Sequence, residues 1–295
     1  MKERMKVMIA YDGSGCADAT IDDLRHAGLP PTGEVLVVSV ADISKTAIAD
    51  SYELSVLGKF VSSRLLEETV ALTEMERARA RNETKKLAKR GGERVRSKLP
   101  GWRVNNIIAI GNPAEELLRE ADAWQPDLIV VGSHGRSAIG RFFLGSVSQI
   151  VAEGASCSVR VAHCGFEKNA DAPNKIIVGA GSLSEAERLI QAVGGRVWSD
   201  ETEARLIKVS DGVPDFCAKI TAMLEQSAGA FHDAGLKATV EVRSGDPKSI
   251  LLEEAEKWRA DAIFTVAGGT NEEPHLSETA AGLITETHCT VEVVR

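Results

Sequence analysis

Aromatic residues are scarce in this 295-residue chain, at 4% of the sequence. Proteins that bind single-stranded nucleic acid stack bases on aromatic side chains, so this chain has little material for such a surface. Basic residues are outnumbered as well: 35 Lys and Arg against 43 Asp and Glu give a formal net charge of −8. Because an anionic surface repels phosphate-rich polymers and anionic membranes, nucleic acid and membrane are not expected as partners.

Long apolar runs are also absent. No segment approaches the roughly 18 uncharged apolar residues of a membrane span, and the first residues, Met-Lys-Glu-Arg, lack the apolar stretch of a signal peptide. We therefore expect a soluble, cytoplasmic protein. Its five cysteines form no CxxC pair, so we expect neither a disulfide framework nor a zinc cluster, and mostly buried thiols in a reducing compartment: Cys16, Cys157, Cys164, Cys217 and Cys289.

An internal repeat organises what is present. The segment Lys-Val-Met-Ile-Ala at 6–10 reappears as Lys-Ile-Ile-Val-Gly at 175–179, and Gly-Asn-Pro at 111–113 reappears as Gly-Asp-Pro at 245–247. With 43% hydrophobic residues, the chain has enough material for two globular domains. A polar stretch near 165–174 separates the copies, which predicts one domain over 1–165 and a second, shorter one over 174–295.

Each copy alternates apolar runs with helical patterns. The runs at 7–10, 34–40, 104–110, 128–131 and 158–162 are apolar or β-branched, which suits strands covered on both faces of a parallel sheet. A helix is predicted over 113–124, with Asn112 as its N-cap and Pro113 in its first turn. The charged stretch at 65–99 predicts a mainly solvent-facing helix. The expected fold is α/β, with two tandem doubly wound domains, each containing a mostly parallel five-stranded sheet.

Glycines follow the fourth predicted strand at a regular spacing. Gly132, Gly135 and the pair Gly145-Ser146 give the pattern G-x2-G-x9-G-S, located after a strand and before a helix. Glycines let backbone N–H groups approach an anion, and a helix N-terminus adds partial positive charge. Ser146 could cap the helix and donate to a phosphate, and Arg136 could add a full charge. The pattern predicts a phosphate-binding turn, although glycines after a strand can simply turn the chain.

These residues resemble the universal stress protein family, here in its tandem-domain form. The resemblance rests on the glycine pattern within Val-Val-Gly-Ser-His-Gly-Arg, on Ile-Ala-Tyr-Asp-Gly-Ser near the amino terminus, and on the strand Ser-Val-Arg-Val. It implies the Rossmann-like fold of the adenine nucleotide alpha hydrolases and the ATP-binding branch of the family. The family's nucleotide contacts match Ala10, Tyr11, Asp12, Val40, Val131, Gly132, His134, Gly135, Arg136, Gly145, Ser146, Val147 and Ser148.

The resemblance also implies a role for each segment. Asp12 would contact the adenosine part, the backbone of Val40 would face adenine, and the two glycine turns would hold ribose and phosphates. Asp12 could alternatively cap the helix that begins near Gly15. No Asp or Ser partner makes His134 a general base, so no catalytic residue is predicted.

The second copy lacks much of this pattern. Gly181 stands where Asp12 stands in the first copy, Val266 replaces Gly132, and Glu272 and Glu273 would repel a polyphosphate. We expect this copy to bind no ATP and to have a structural or interaction role. In the family, strands such as Ser158–Ala162 and Thr290–Val294 pair across the interface, so the chain would be a covalent pseudo-dimer. Further association into a homodimer stays open.

The leading hypothesis is therefore an ATP-binding stress-response regulator whose occupancy shifts binding to unidentified protein partners. The charge of the polyphosphate suggests Mg²⁺ as its companion ion. At most a slow ATPase is expected, because no residue is evident that would position water. An adenylate-using enzyme of the related superfamily and a nucleotide-free interaction scaffold are the alternatives. Adenylate-using enzymes carry a characteristic glycine-rich loop after the first strand, and residues 12–15 match it too poorly. The intact glycine pattern after the fourth strand argues against a scaffold that binds no nucleotide.

Overall fold

Strands and helices alternate along the first part of the chain. The structure, a computed structural model, describes residues 4–42, 63–133, 144–164, 173–210, 222, 231–232, 235–269 and 274–295. Its first half runs to residue 164 and contains β1 (Met5–Ala10), α1 (Gly15–Asp23), β2 (Gly33–Ala41), α2 (Ser63–Lys98), β3 (Arg103–Ile110), α3 (Pro113–Trp124), β4 (Leu128–Gly132), α4 (Ser146–Gly154) and β5 (Ser158–Ala162).

The second half, from residue 173 onwards, repeats this alternation with shorter elements. It contains β6 (Lys175–Ala180), α5 (Leu183–Gly194), β7 (Thr202–Ser210), β8 (Leu236–Ser244), α6 (Pro247–Trp258), β9 (Ala262–Val266), β10 (Gly268–Gly269), β11 (Pro274–His275), α7 (Glu278–Glu286) and β12 (Thr290–Val294). No helix in the described ranges is long and apolar enough to cross a lipid bilayer.

A single ten-stranded sheet joins the two halves. Its strand order is β3-β2-β1-β4-β5-β12-β9-β6-β7-β8. Counted outward from the central pair β5–β12, the strands of the two halves follow in equivalent order. Neighbouring strands within each half are parallel, whereas β5 and β12 pair antiparallel at the centre. The predicted α/β class with a mostly parallel sheet is confirmed, and so is the expected pairing of the two closing strands.

The two faces of the sheet are packed differently. On one face, α3, α4, α6 and α7 cover one continuous core that contains Leu117, Val151, Leu251 and Leu283 and spans both halves. On the other face, α1 and α2 cover one core and α5 covers another. We call the core beneath α3, α4, α6 and α7 the shared core. It makes the two halves parts of one packed body.

The helix caps explain where several helices begin. Asn112 caps α3 as predicted, with its side chain accepting from Ala114 N at 3.0 Å. The alternative in which Asp12 caps α1 is wrong, because Ser14 takes that position and accepts from Ala17 N at 3.1 Å. Ser146 does not cap α4 either: the N-cap is Gly145, and Ser146 is the first helical residue.

The predicted charged helix is α2, and only part of it faces solvent. Near its carboxyl end, Arg94 donates to Asp22 at 2.5 Å and Lys98 lies 3.0 Å from the same carboxylate. Arg90 and Arg94 also pair with Asp18. These bonds fix the end of α2 against α1, so this part of the charged stretch has a structural role.

The expectation that the chain has no disulfide is wrong for one pair of cysteines. Cys16 and Cys164 are bonded, with their Cα atoms 5.0 Å apart although 148 residues separate them in sequence. Cys16 lies in the first turn of α1 and Cys164 follows β5, and the sheet brings both positions to its carboxyl edge. Cys157 and Cys289 form no disulfide, and Cys217 lies outside the described residues. The sequence gives no sign of this pairing, because the two cysteines are far apart along the chain.

Candidate functional site

The carboxyl ends of β1 and β4 form the topological switch point of the first half. Strand β1 pairs with β2 on one side and with β4 on the other, where Ile9 lies opposite Val130. After β1 the chain crosses to β2 on one side of the sheet, and after β4 it crosses to β5 on the other side. Parallel α/β sheets bind their ligands in the crevice at such a point.

The main chain after β1 is held rigidly at this edge. Tyr11 N donates to Val38 O at 2.9 Å, and the buried Ser39 hydroxyl donates to Tyr11 O at 2.6 Å. These bonds extend β1 by one residue beyond Ala10. They also bring residues 10–12 next to the end of β2, where the half-buried Val40 pairs with Ala109.

The side chain of Tyr11 does not face the edge. It is buried in the core beneath α1 and α2, and its hydroxyl donates to Asp18 at 2.6 Å. Burial, followed by the hydrogen bond and the negative charge of Asp18, raises the pKa of Tyr11 to about 12. Tyr11 can therefore offer a ligand only its backbone.

Asp12 lies where the chain turns into α1. Its Oδ1 accepts the N–H of Ser14 at 2.9 Å, and its side chain is half-buried. This bond uses one of the two carboxylate oxygens and orients the group. Asp12 is thus fixed at the mouth of the crevice without being the cap of α1.

The end of β4 and the start of α4 are tied together. The Ser148 hydroxyl donates to Gly132 O at 2.5 Å, and Gly145 N donates to Ser133 O at 2.7 Å. Two predicted segments, 131–132 and 145–148, therefore meet at this edge. Ser148 is buried, so its side chain stabilises the turn, whereas Ser146 is exposed and Val147 is half-buried.

Among the described residues, which omit 134–143, no side chain caps the first turn of α4. Gly145 provides no capping hydrogen bond, whereas α1, α3, α5, α6 and α7 are capped by Ser14, Asn112, Ser182, Asp246 and Ser277. The first amides of a helix have no intrahelical acceptor and carry partial positive charge. This turn is therefore suited to an anion, and an acceptor there would satisfy its amides.

Three predicted residues of the phosphate loop, His134, Gly135 and Arg136, lie outside the described residues. Their roles stay predictions. The other ten predicted residues all lie at the carboxyl edge formed by β1, β2, β4 and α4. Two of them, Tyr11 and Ser148, direct their side chains into the protein.

The corresponding edge of the second half contains a lysine that the sequence reasoning missed. Because Lys6 pairs with Glu34 and Lys175 with Glu203, Lys208 holds in β7 the place of Ser39 in β2. Lys208 is 2% exposed, and its Nζ donates to Gly181 O at 2.8 Å and to Val209 O at 2.5 Å. Glu185 in turn accepts from Gly181 N at 2.7 Å. The repeat spacing that aligned the two copies could have identified Lys208.

The helix that follows β9 also differs from its counterpart α4. The β10–β11 hairpin precedes α7, with Gly268 opposite His275. Ser277 caps α7 by accepting from Ala280 N at 3.1 Å, and Glu278 lies in the first turn. An anion would therefore meet a satisfied amide and a negative charge, the reverse of the situation at α4.

Comparison with known proteins agrees with this architecture. The model of the universal stress protein family matches residues 3–163, more than half of the chain. Universal stress protein YxiE of Bacillus subtilis is 28% identical over 158 residues, covering 53% of this chain and 97% of YxiE. Universal stress protein MJ0577 of Methanocaldococcus jannaschii is 26% identical over 148 residues, covering 50% of this chain and 86% of that protein.

A solved structure extends the likeness of the fold to nearly the whole chain. The crystal structure of a universal stress protein from Archaeoglobus fulgidus covers 98% of this chain and 96% of its own, with a TM-score of 0.61 and 18% identity. At that identity the likeness concerns the fold alone. Taken with the family match over residues 3–163, it accords with the strand order and the switch point described above. The chain belongs to the universal stress protein family.

Proposed function

We propose that this protein is a stress-response regulator that binds one ATP, in its first half. The nucleotide lies in the crevice between the ends of β1 and β4, with its adenosine near Asp12 and Val40. Its phosphates lie against the first turn of α4. The uncapped amides of that turn, placed beside Gly132, are the observation that carries the proposal.

The donor set fits an adenine nucleotide. Asp12 offers a carboxylate oxygen for a ribose hydroxyl, and the exposed Ser146 begins a helix whose first amides are capped by no side chain in the described part of the chain. Within the described ranges, no group of three His, Cys, Asp or Glu residues could hold a metal. We therefore propose that Mg²⁺, when present, is held mainly by phosphate oxygens and water.

The second half has a different role in this proposal. Lys208 and Gly181 occupy its switch point, and Ser277 and Glu278 close the start of α7. We propose that the division at 1–165 and 174–295 separates a nucleotide-binding domain from one that completes the pseudo-dimer and contacts protein partners. A cytoplasmic location is part of the same proposal.

Mass spectrometry of small molecules released from the denatured, purified protein tests this function. Released ATP or ADP is the expected result, whereas an acyl-adenylate would point to an adenylate-using enzyme. If nothing is released, calorimetric titration with ATP and Mg²⁺ decides. A stoichiometry near one per chain supports the proposal, and the absence of binding would contradict it and favour a nucleotide-free scaffold.

A further inference from the structure

The two halves meet at the strand pair β5–β12, which is buried. Val161 lies opposite Val291, Arg160 opposite Glu292, and Val159 opposite Val293. All six residues have 0% exposure. Two opposite charges therefore lie at the centre of a strand pair whose flanking paired residues are valines.

Arg160 and Glu292 hold equivalent positions in the two halves. Leu128 of β4 pairs with Ser158, and Ala262 of β9 pairs with Thr290, so each charged residue is the third residue of the closing strand. In an antiparallel pair of equivalent strands, the residue that faces its own equivalent lies on the local two-fold axis. Arg160 and Glu292 are the residues at this axis.

The flanking valines do not determine which strands pair. Each strand contributes a valine on both sides of the axis, so two copies of β5 in the same register would make the same Val–Val contacts. At the axis, however, two copies of β5 would place Arg160 opposite Arg160. Two copies of β12 would place Glu292 opposite Glu292. Like charges buried face to face are strongly unfavourable.

Each axis charge also has an opposite charge from its own half. Arg160 Nε donates to Asp23 at 2.8 Å and its Nη1 donates to Glu292 at 3.1 Å. Arg196, from the second half, donates to Glu292 and, at 2.7 Å, to Ala27 O of the first half. Burial alone would lower the pKa of Arg160, but Asp23 and Glu292 outweigh it and raise that pKa. Two cations and two carboxylates balance here, but Asp23 and Arg196 would accompany their own halves in any pairing, so the selection depends on the direct contact between Arg160 and Glu292.

We propose that Arg160 and Glu292 select which strands pair, so that β5 accepts β12 of its own chain and excludes the β5 strand of a second copy. At the axis position, either half is complementary in charge to the other half and not to a second copy of itself. This inference concerns assembly and is independent of the nucleotide site.

Two full-length variants with different affinity tags test the proposal. Glu292→Arg places two arginines at the axis, and Arg160→Glu places two glutamates there. Each variant alone should lose on the order of 10 °C of its thermal midpoint, because a buried charge pair becomes a buried repulsion. Co-expressed, the two variants should co-purify as a complex of two chains, in which every arginine at an axis faces a glutamate.

Two differently tagged copies of one variant provide the background level of co-purification. Wild-type chains with the same two tags should not exceed that background. An exposed pair provides the matched control: Lys248→Glu places like charges opposite Glu286, whose side chain is 49% exposed. That change should shift the midpoint by about 1 °C or less. Unchanged midpoints in both axis variants would overturn the proposal, as would soluble axis variants that do not form the mixed complex.

A reversed pair decides the question if the single variants fail to fold. Arg160→Glu combined with Glu292→Arg in one chain restores opposite charges at the axis. The new glutamate then lies beside Asp23 and the new arginine beside Arg196, so we expect the double variant to recover only part of the loss. A double variant no more soluble or stable than either single one would refute the selection.

Discussion

At the scale of single residues, the start of α4 and the start of α7 differ in ways that should decide where ATP binds. Ser146 is exposed in an uncapped first turn, whereas Glu278 occupies the equivalent place in a turn capped by Ser277. The two residues provide reciprocal substitutions. Ser146→Glu adds a carboxylate to the uncapped turn of α4, and Glu278→Ser removes one from the capped turn of α7.

Ser146→Glu should weaken ATP binding about tenfold or more, since a tenfold loss needs only about 1.4 kcal/mol of repulsion. The fold should be unaffected, because a glutamate in the first turn interacts favourably with the helix dipole. Isothermal calorimetry measures the affinity, and thermal unfolding checks stability. Glu278→Ser is the control and should leave both affinity and stoichiometry unchanged. Equal effects of the two substitutions would contradict the assignment of the site.

At the scale of elements, α2 packs against the rest of the first half through Gly91 and a set of charges. A Cβ atom on Gly91 would lie 2.7 Å from the ring of Tyr11 and 3.1 Å from Val37. A glycine inside a helix costs about 1 kcal/mol relative to alanine. Here, close packing of α2 on Tyr11 requires it.

Gly91→Ala should therefore destabilise the protein by about 1–3 kcal/mol, because the added methyl group forces the Tyr11 ring to move. Gly15→Ala in the first turn of α1 is the matched control, since no atom lies within 4 Å of its Cβ position. It should be neutral or slightly stabilising. Urea unfolding measures both. If Gly91→Ala were the more stable variant, α2 would not pack on Tyr11 in this way.

The contact between α1 and α2 should weaken in acid. Burial would raise the pKa of Asp22, but hydrogen bonds from Lys98 and Arg94 outweigh it and lower that pKa below its usual 3.8. A carboxyl whose folded pKa is lowered stabilises the fold above its unfolded pKa. That contribution is lost as the pH falls through the folded value.

Asp22→Asn should thus lower the thermal midpoint at neutral pH, and the difference from wild type should begin to shrink near pH 3.8 and disappear below the lowered, folded pKa. Thermal unfolding at a series of pH values measures this. Asp122→Asn removes an exposed charge on α3 and provides the control for a change in net charge. A difference for Asp22→Asn that persisted unchanged in acid would show that the carboxylate charge is not responsible.

Local signals predicted the elements well, and long-range contacts limited the rest. The pattern around Asn112 and Pro113 correctly gave both the start of α3 and its end at Trp124. The caps of α1 and α4 were assigned to the wrong residues, because Asp12 and Ser146 are both good capping residues. Asp12 lies two positions before the true cap of α1, and Ser146 lies one position after the true cap of α4. The Cys16–Cys164 bond depends on strand order, which composition and spacing do not specify. The repeat spacing points to the position of Lys208 but not to the acceptors of its Nζ.

The candidate site shows the same division. Glycine and serine spacing identified the turn between β4 and α4, because that chemistry is local in sequence. The inward direction of Tyr11 was not predictable, since its partner Asp18 and the glycine that accommodates its ring belong to two different helices. Sequence therefore predicted the place of the site better than the direction of its side chains.

At the scale of the whole molecule, the shared core connects the halves more extensively than a linker would. Val151 and Leu283 belong to one continuous cluster, although they lie in α4 and α7. The central strand pair β5–β12 crosses the same junction. Because unfolding one half would expose this common surface, we expect both halves to unfold in a single cooperative transition.

Binding of ATP to the first half should then stabilise the second half as well. A ligand at about 100 times its dissociation constant adds about 2.7 kcal/mol to the free energy of unfolding, if it binds only the folded state. Hydrogen exchange with mass spectrometry should show slower exchange in β6 and β9, which lie outside the proposed nucleotide site, for amides that exchange only by global unfolding. In Ser146→Glu, with affinity about tenfold lower, only about 1.4 kcal/mol of this stabilisation should remain at the same ATP concentration. Two separate transitions, with ATP affecting only the first half, would mean that the shared core does not couple the halves.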